Sequence, residues 1–202
     1  LVALAVFAGC EHPTEPADAT ATRRQSSNEV DALPKNLVDL DGNQVDPFAN
    51  DAEVLVLVFV AVDCPISNRY APVLTELRER YADQAVRFHA VYSDPTAKLE
   101  SLRNHAAQFA LQQGALWDPQ HEVVAFAGAT VTPEAAVIRL GAAPQLSYRG
   151  RIDDRFAEFG KTRPQAENHD LRDAIAEALD APPGEKVLSP RITKAVGCYI
   201  PQ

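Results

Sequence analysis

Apolar residues recur along this chain in two alternating rhythms. Val54 to Val62, VLVLVFVAV, is an unbroken β-branched and apolar run, the pattern of a strand buried on both faces. Asn68 to Ala82 places Tyr70, Val73, Leu74, Leu77 and Tyr81 on one side of a helix. Val86 to Tyr92 reads as a second buried strand, and Lys98 to Leu111 as a second helix with Leu99, Leu102, Ala106 and Phe109 at helical spacing. A loop with Trp117, Asp118 and Pro119 leads to a short helix near 120–126. Thr132-Pro133 precedes a third strand, Ala135 to Leu140, and Gln145 to Tyr148 is a fourth, paired with it. Residues 165–180 form an amphipathic helix with Leu171, Ile175 and Leu179 inward. Ahead of these elements, Asp41-Gly42 is a turn signal between short apolar runs and predicts a hairpin. Strands alternating with helices predict an α/β layer structure.

The ends follow neither rhythm. Residues 1–9, LVALAVFAG, are apolar or small and lead into Cys10. The run is too short to span a bilayer. Ala8-Gly9-Cys10 resembles a bacterial lipobox, in which the cysteine is acylated, so residues 1–10 read as the remainder of a signal peptide. An ordinary signal region with an incidental cysteine is the plainer alternative. Residues 11–34, rich in Pro, Ser, Thr and charge, cannot bury enough surface to order themselves. They read as a tether, followed by a domain over 35–180 and an extended Pro-containing tail over 181–202 that carries Cys198. The expected location is the cell envelope or periplasm, with Cys10 as the only membrane attachment.

A net charge of −9 without a basic stripe argues against a nucleic-acid partner. With Cys10 set aside, two cysteines remain, Cys64 and Cys198. An exported compartment permits disulfides, so the two form a structural bridge, a redox pair or a metal pair, or remain separate thiols.

Cys64 follows the first buried strand and opens the first helix, in Cys64-Pro65-Ile66-Ser67. Ala71-Pro72-Val73-Leu74-Thr75-Glu76-Leu77 resembles the kinked first helix of thioredoxins, and Thr132-Pro133 resembles their cis-proline loop. The long interval between these motifs is similar to that of the AhpC/TSA-like redoxin branch, the periplasmic thioredoxin-like and peroxiredoxin-related proteins. The CPIS string, Arg149–Arg155 and the C-terminal Gly197-Cys198-Tyr199-Ile200 together look like a bacterial lipoprotein subgroup of that branch. The resemblance implies a thioredoxin-like fold over about 35–180, a central mixed sheet flanked by helices, with the N-terminal hairpin and the C-terminal tail as extensions. It implies Cys64 as nucleophile and Pro65, Thr132 and Pro133 as substrate-binding residues. Partners are then protein thiols or disulfides and an unidentified redox partner. No cofactor is implied.

The departures are equally specific. Ser67 stands where a resolving cysteine is usual, and is expected to donate a hydrogen bond to the sulfur. Leu57 and Ala61 stand where peroxiredoxins carry proline and a hydroxyl residue. A helix N-terminus favours the Cys64 thiolate, while the adjacent Asp63 opposes it. Cys198 is the in-chain candidate resolver, if the tail folds back. As a permanent bridge it would instead contribute about 4–5 kcal/mol.

The resulting expectation is an extracytoplasmic thiol–disulfide oxidoreductase. One alternative is a thiol peroxidase, with Arg69 or Arg139 approaching the sulfur. Another is a Cu(I) carrier using Cys64, Cys198 and one of His89, His105, His121 or His169. Soft thiolates suit Cu(I), but no tight Cys/His spacing exists, His105 and His169 are expected at the surface, and no metal site is assigned. A third is a non-enzymatic binding module. The charged residues Arg149, Arg151, Asp153, Asp154 and Arg155 are expected to form a solvated loop or a contact surface.

Overall fold

A computed structural model of the chain describes residues 33–34, 36–48 and 52–201. The expected signal region and lipid site at Cys10, and almost all of the 11–34 tether, lie outside the described residues.

In chain order the elements are strands β1 (Leu37–Asp39), β2 (Gln44–Val45) and β3 (Val54–Val60), helix α1 (Pro65–Arg80), β4 (Val86–Tyr92), α2 (Leu99–Gln108), β5 (Leu116–Trp117), α3 (Glu122–Ala127), β6 (Val131–Thr132), β7 (Glu134–Arg139), β8 (Gln145–Gly150), β9 (Phe156–Glu158), β10 (Lys161–Thr162), α4 (Asp170–Asp180), β11 (Arg191–Ile192) and β12 (Cys198–Tyr199). The main sheet has the order β11-β8-β7-β3-β4-β5-β1-β2, and β12 pairs with β6 separately.

β3 is the centre of the sheet because every residue in it is apolar and all seven are buried. Successive side chains of a strand point to opposite faces. Val54, Val56, Val58 and Val60 therefore enter one hydrophobic cluster, with Leu74 and Leu77 of α1, Leu102 and Ala106 of α2, and Leu171 and Ile175 of α4. Leu55, Leu57 and Phe59 enter the other, with Val123, Val124 and Ala127 of α3, Leu37 and Ile200. Each large side chain so buried is worth about 1.5–3 kcal/mol. The sheet is mixed: β3 runs parallel to β4 and antiparallel to β7. This is the α/β architecture expected, including the hairpin at Asp41-Gly42, where β1 pairs antiparallel with β2.

The antiparallel pairing of β3 with β7 positions the site. Phe59, near the end of β3, lies opposite Glu134, the first residue of β7. Whatever follows β3 is thus held beside whatever precedes β7. Cys64 follows the one and Thr132-Pro133 precedes the other.

Several expectations need correction. The loop at Trp117 contains β5, which pairs parallel with β4 and antiparallel with β1. The helix placed at 165–180 begins at Asp170, because residues 167–168 are held as a loop by Asp154, whose carboxylate accepts the backbone N–H groups of Glu167 and Asn168. The charged string 149–155 is no solvated loop. Asp153 and Asp154 are each 2 % exposed. Asp153 accepts the Tyr70 hydroxyl and pairs with Arg155 at 3.0 Å, and Arg151 pairs with Asp170 at 2.7 Å. A helical position at His105 reads as surface until its partners are known; in the fold it is buried between Tyr92 and Asn68.

Candidate active site around Cys64

The chain leaves β3 through Ala61 to Asp63 and turns, with the Cys64 amide donating to the Ala61 carbonyl. Cys64 has extended backbone angles and is the N-cap of α1, with Pro65 in the first turn. Proline fits there because that position has no intrahelical N–H bond to lose. The Cys64 carbonyl accepts the first helical bond, from Asn68. The sulfur is therefore held where the unpaired amides of a helix start converge.

Opposite it, the Thr132-Pro133 peptide is cis. The Cys64 thiol donates to the Thr132 carbonyl, 2.9 Å away. The tail closes the third side. β12 pairs antiparallel with β6, setting Cys198 opposite Thr132 and Tyr199 opposite Val131. The Ile200 amide donates to Thr130 and the Thr132 hydroxyl to the Cys198 carbonyl. Both cysteines are free thiols, and Cys198 hydrogen-bonds to the Cys64 sulfur. Cys64 has no exposed surface, so the tail covers the group that this geometry otherwise presents.

The two thiols are electrostatically unequal. Burial pushes the Cys64 pKa up, but the amide and hydroxyl of Ser67 and the thiol and amide of Cys198 outweigh it and bring it down to about 7. Cys198 is pushed up to about 11 by its bond to Cys64, by burial and by the negative charges of Cys64 and Asp63. Around neutral pH Cys64 is therefore divided between thiol and thiolate, while Cys198 stays protonated. Asp63 itself is exposed. Ser67 is almost fully buried, and its hydroxyl makes no hydrogen bond of normal geometry. While the Cys64 thiol donates to Thr132, this hydroxyl is left to donate to the sulfur when Cys64 ionises.

The residues singled out in the sequence thus divide. Cys64, Ser67, Thr132, Pro133 and Cys198 are brought together, and Pro65 lies exposed beside them. Arg139, which the peroxidase alternative would bring to the sulfur, is not: it sits at the far end of β7, opposite Val54, and donates to the Pro182 carbonyl. None of the four domain histidines is a partner of either sulfur. His89 bonds Gly114, His121 bonds Ser93, His105 bonds Asn68 and Tyr92, and His169 precedes α4. Among the described residues no group of three His, Cys, Asp or Glu side chains is placed to hold a metal.

Two supports were not legible in the sequence. Glu134, 4 % exposed, accepts the Thr130 amide at 2.8 Å and the Val131 amide at 3.4 Å. It fixes the strand on which the tail lies, and a charged residue directly after Thr132-Pro133 was the one available hint. Asn68, Nε2 of His105 and the Tyr92 hydroxyl form a chain of 2.8 Å bonds behind the first turn of α1. Asn68 also donates to the Val62 carbonyl, which ties the turn before Cys64 to the helix.

No family model matches this chain, and no curated protein does. Solved structures do. A hypothetical protein from Sinorhizobium meliloti superposes with a TM-score of 0.63 at 23 % identity, over 84 % of this chain and 94 % of that one. An uncharacterized conserved protein from Geobacillus kaustophilus gives 0.61 at 24 %, over 83 % and 88 %. A thiol:disulfide interchange protein of the thioredoxin family from Chlorobium tepidum gives 0.52 at 16 %, over 73 % and 94 %. The chain has the thioredoxin-like fold. At such identities the likeness is one of fold, and activity must be argued from the site. Among the described residues no helix is long and apolar enough to cross a membrane.

Proposed function

We propose that the protein is a thiol–disulfide oxidoreductase in which Cys64 is the nucleophile and Cys198 the resolving thiol. One observation carries this reading: the Cys64 thiol at the start of α1 lies 2.9 Å from the Thr132 carbonyl, and the β12–β6 pairing sets the second thiol, Cys198, opposite that same Thr132. The Cys64 thiolate attacks a substrate disulfide, the substrate S–S bond breaks, and its first sulfur leaves with the electron pair and takes up a proton. A mixed disulfide now joins Cys64 to the substrate. Cys198 gives up its proton and attacks Cys64 Sγ. The mixed disulfide breaks, the second substrate sulfur leaves as a thiol, and a Cys64–Cys198 disulfide remains. Two electrons have passed to the substrate. The same steps reversed oxidise a substrate dithiol, and the relative reduction potentials set the direction.

Ser67 stabilises the thiolate without competing as a resolver, since a hydroxyl forms no disulfide. This assigns the second half of the cycle to the tail. A peroxidase has less support: Ala61 offers no hydroxyl, and Arg139 lies at the wrong end of its strand. The Ala8-Gly9-Cys10 pattern supports an exported, lipid-anchored protein acting on envelope proteins.

The test is equilibration of the full chain in glutathione buffers followed by alkylation and mass spectrometry. A Cys64–Cys198 disulfide is expected, forming and reducing reversibly. Cys198→Ser should accumulate a mixed disulfide at Cys64, and Cys64→Ser should lose disulfide reduction by at least a hundredfold. Cysteines that never pair, or a bridge that no glutathione ratio reduces, would refute the reading.

A further inference from the structure

The edge of β6 that carries the Thr132 carbonyl is already occupied by the chain's own residues 197–200. That occupied edge has a shape. A Cβ on Gly197 would lie 2.0 Å from the Thr132 carbonyl oxygen and 3.0 Å from the Pro133 nitrogen, both backbone atoms unable to yield. Cys198 points at the Cys64 sulfur. Tyr199 is 85 % exposed and Ile200 4 %, the latter joining the cluster that holds Val124, Ala127 and Ala129. Read outward along the strand, the edge requires glycine, then a sulfur, then any residue, then an aliphatic one.

The geometry points to Gly197–Ile200 as a resident mimic of the substrate: the edge at Thr130–Thr132 takes an extended polypeptide of the pattern Gly-Cys-x-aliphatic, with its cysteine in a disulfide, and takes it only when the tail has left. This deepens the oxidoreductase reading and rests on it. Extended segments bind sheet edges through main-chain hydrogen bonds, with alternate side chains giving selectivity, and two strands cannot hold one edge together.

The tail is built for such an exchange. Its nearer part is stitched to β8: β11 pairs with Tyr148 and Arg149, the Thr193 amide donates to Arg149, and its hydroxyl receives the Arg151 amide. Arg191 lies over the Tyr148 ring at 4.7 Å. Residues 194–196 then link this anchor to the short paired segment beyond. Leaving the edge breaks a two-residue strand and unseats Ile200, while the anchor keeps Cys198 at high local concentration for its return. When it returns, the strand that brings the resolving thiol is the one that displaces the substrate strand. The attack of Cys198 on Cys64 Sγ and the departure of the substrate as a thiol then become one event.

The test uses the full-length protein and four synthetic octapeptides whose single cysteine is joined by a disulfide to thionitrobenzoate, whose release is followed by absorbance. The parent peptide is Lys-Ala-Val-Gly-Cys-Tyr-Ile-Pro. The others replace its glycine by valine, its isoleucine by aspartate, or its tyrosine by serine. In a single turnover of the reduced protein, the valine and aspartate peptides are expected to react with a second-order rate constant at least tenfold below the parent's, and the serine peptide within about twofold. Ile200→Asp in the protein, which unseats the tail, should speed the parent peptide at least fivefold once each rate is divided by that protein's Cys64 thiolate fraction, since losing the Cys198 donor raises the Cys64 pKa. Gly197→Val should do the same by the independent steric route. Four equal peptide rates, or no acceleration in either variant, would overturn the mimic while leaving Cys64 an active thiol. A Cys64 that fails to react even with the small disulfide dithiobis-nitrobenzoate in the unseated variants would instead overturn the oxidoreductase reading itself.

Discussion

Cys64 owes its character to the donors that remain once its thiol proton has gone. As a thiol it donates to Thr132 at 2.9 Å. As a thiolate it is turned toward Ser67 and Cys198, which together outweigh burial and set its pKa near 7. Removing a donor to the anion raises the pKa, because the charged form loses its stabilisation while the thiol does not. Cys198→Ala and Ser67→Ala are therefore expected to move the Cys64 titration, read by thiolate absorbance, from about 7 toward 9, the ordinary thiol value. In the wild type the thiolate should grow in through about pH 7, with Cys198 silent until about 11. A midpoint that neither substitution moves would show that the helix start alone holds the anion. The Ser67 hydroxyl contributes only as a donor, so Ser67→Cys would exchange that donor for a competing resolver.

At the scale of elements, the buried charges between β8 and α4 determine where α4 begins. Asp154 accepts the amides of Glu167 and Asn168, the Asn168 side chain at 2.7 Å and the Arg163 guanidinium at 3.1 Å. Burial pushes its pKa up, but these donors bring it down to about 2. Because the folded value lies below the ordinary 3.8, the stability it contributes is complete above that pH and is lost as pH falls through about 2. Asp154→Asn should cost about 2 kcal/mol at neutral pH. In urea unfolding followed by circular dichroism, that gap should close between pH 4 and 2. An unchanged gap across that range would mean the carboxylate is not held as an anion. This network also marks the limit of what the sequence discloses. β3, α1, β4, α2 and β7 announce themselves because burial on a regular element repeats at its period, and the cysteine and proline of the site lie at their ends. The string Arg149–Arg155 has no period. Its burial depends on partners such as Tyr70 and Asp170, far along the chain, and sequence charge alone reads as solvent-facing. β11 and β12 are equally silent, because two-residue strands carry no alternation and exist only through the edges they meet.

Across the whole molecule, the fold buries two imidazoles, His89 on the sheet and His105 on α2, and burial favours the neutral form of each. His89 on β4 is 7 % exposed. Its Nδ1 lies 2.6 Å from the Gly114 carbonyl, to which it donates, and its Nε2 is buried with no partner. Burial lowers its pKa first of all, and Arg87 and Arg78 add to this, while the Gly114 bond opposes it. His105 is likewise lowered by burial; its Nε2–H donates to Asn68 while Nδ1 accepts from Tyr92, which fixes the neutral ring. A histidine with a depressed folded pKa binds its proton more readily in the unfolded chain. Below the ordinary value of 6.5 the unfolded state therefore gains protons that the fold refuses, and stability falls with pH. Each such group contributes a slope of up to about 1.4 kcal/mol per pH unit. Urea unfolding between pH 7.5 and 5 should show the free energy declining below 6.5 by the equivalent of up to about two protons. His89→Asn, which keeps an N–H toward Gly114 without a titrating ring, should remove about one of them. A slope that His89→Asn leaves intact would place the pH sensitivity elsewhere in the molecule. Because His105 reaches the Cys64 turn through Asn68, acid that protonates His105 should loosen that turn, whereas His89 acts on stability alone. The two are separable in one experiment: each substitution removes about one proton from the stability slope, but only His105→Asn changes the rate at which Cys64 is alkylated in acid.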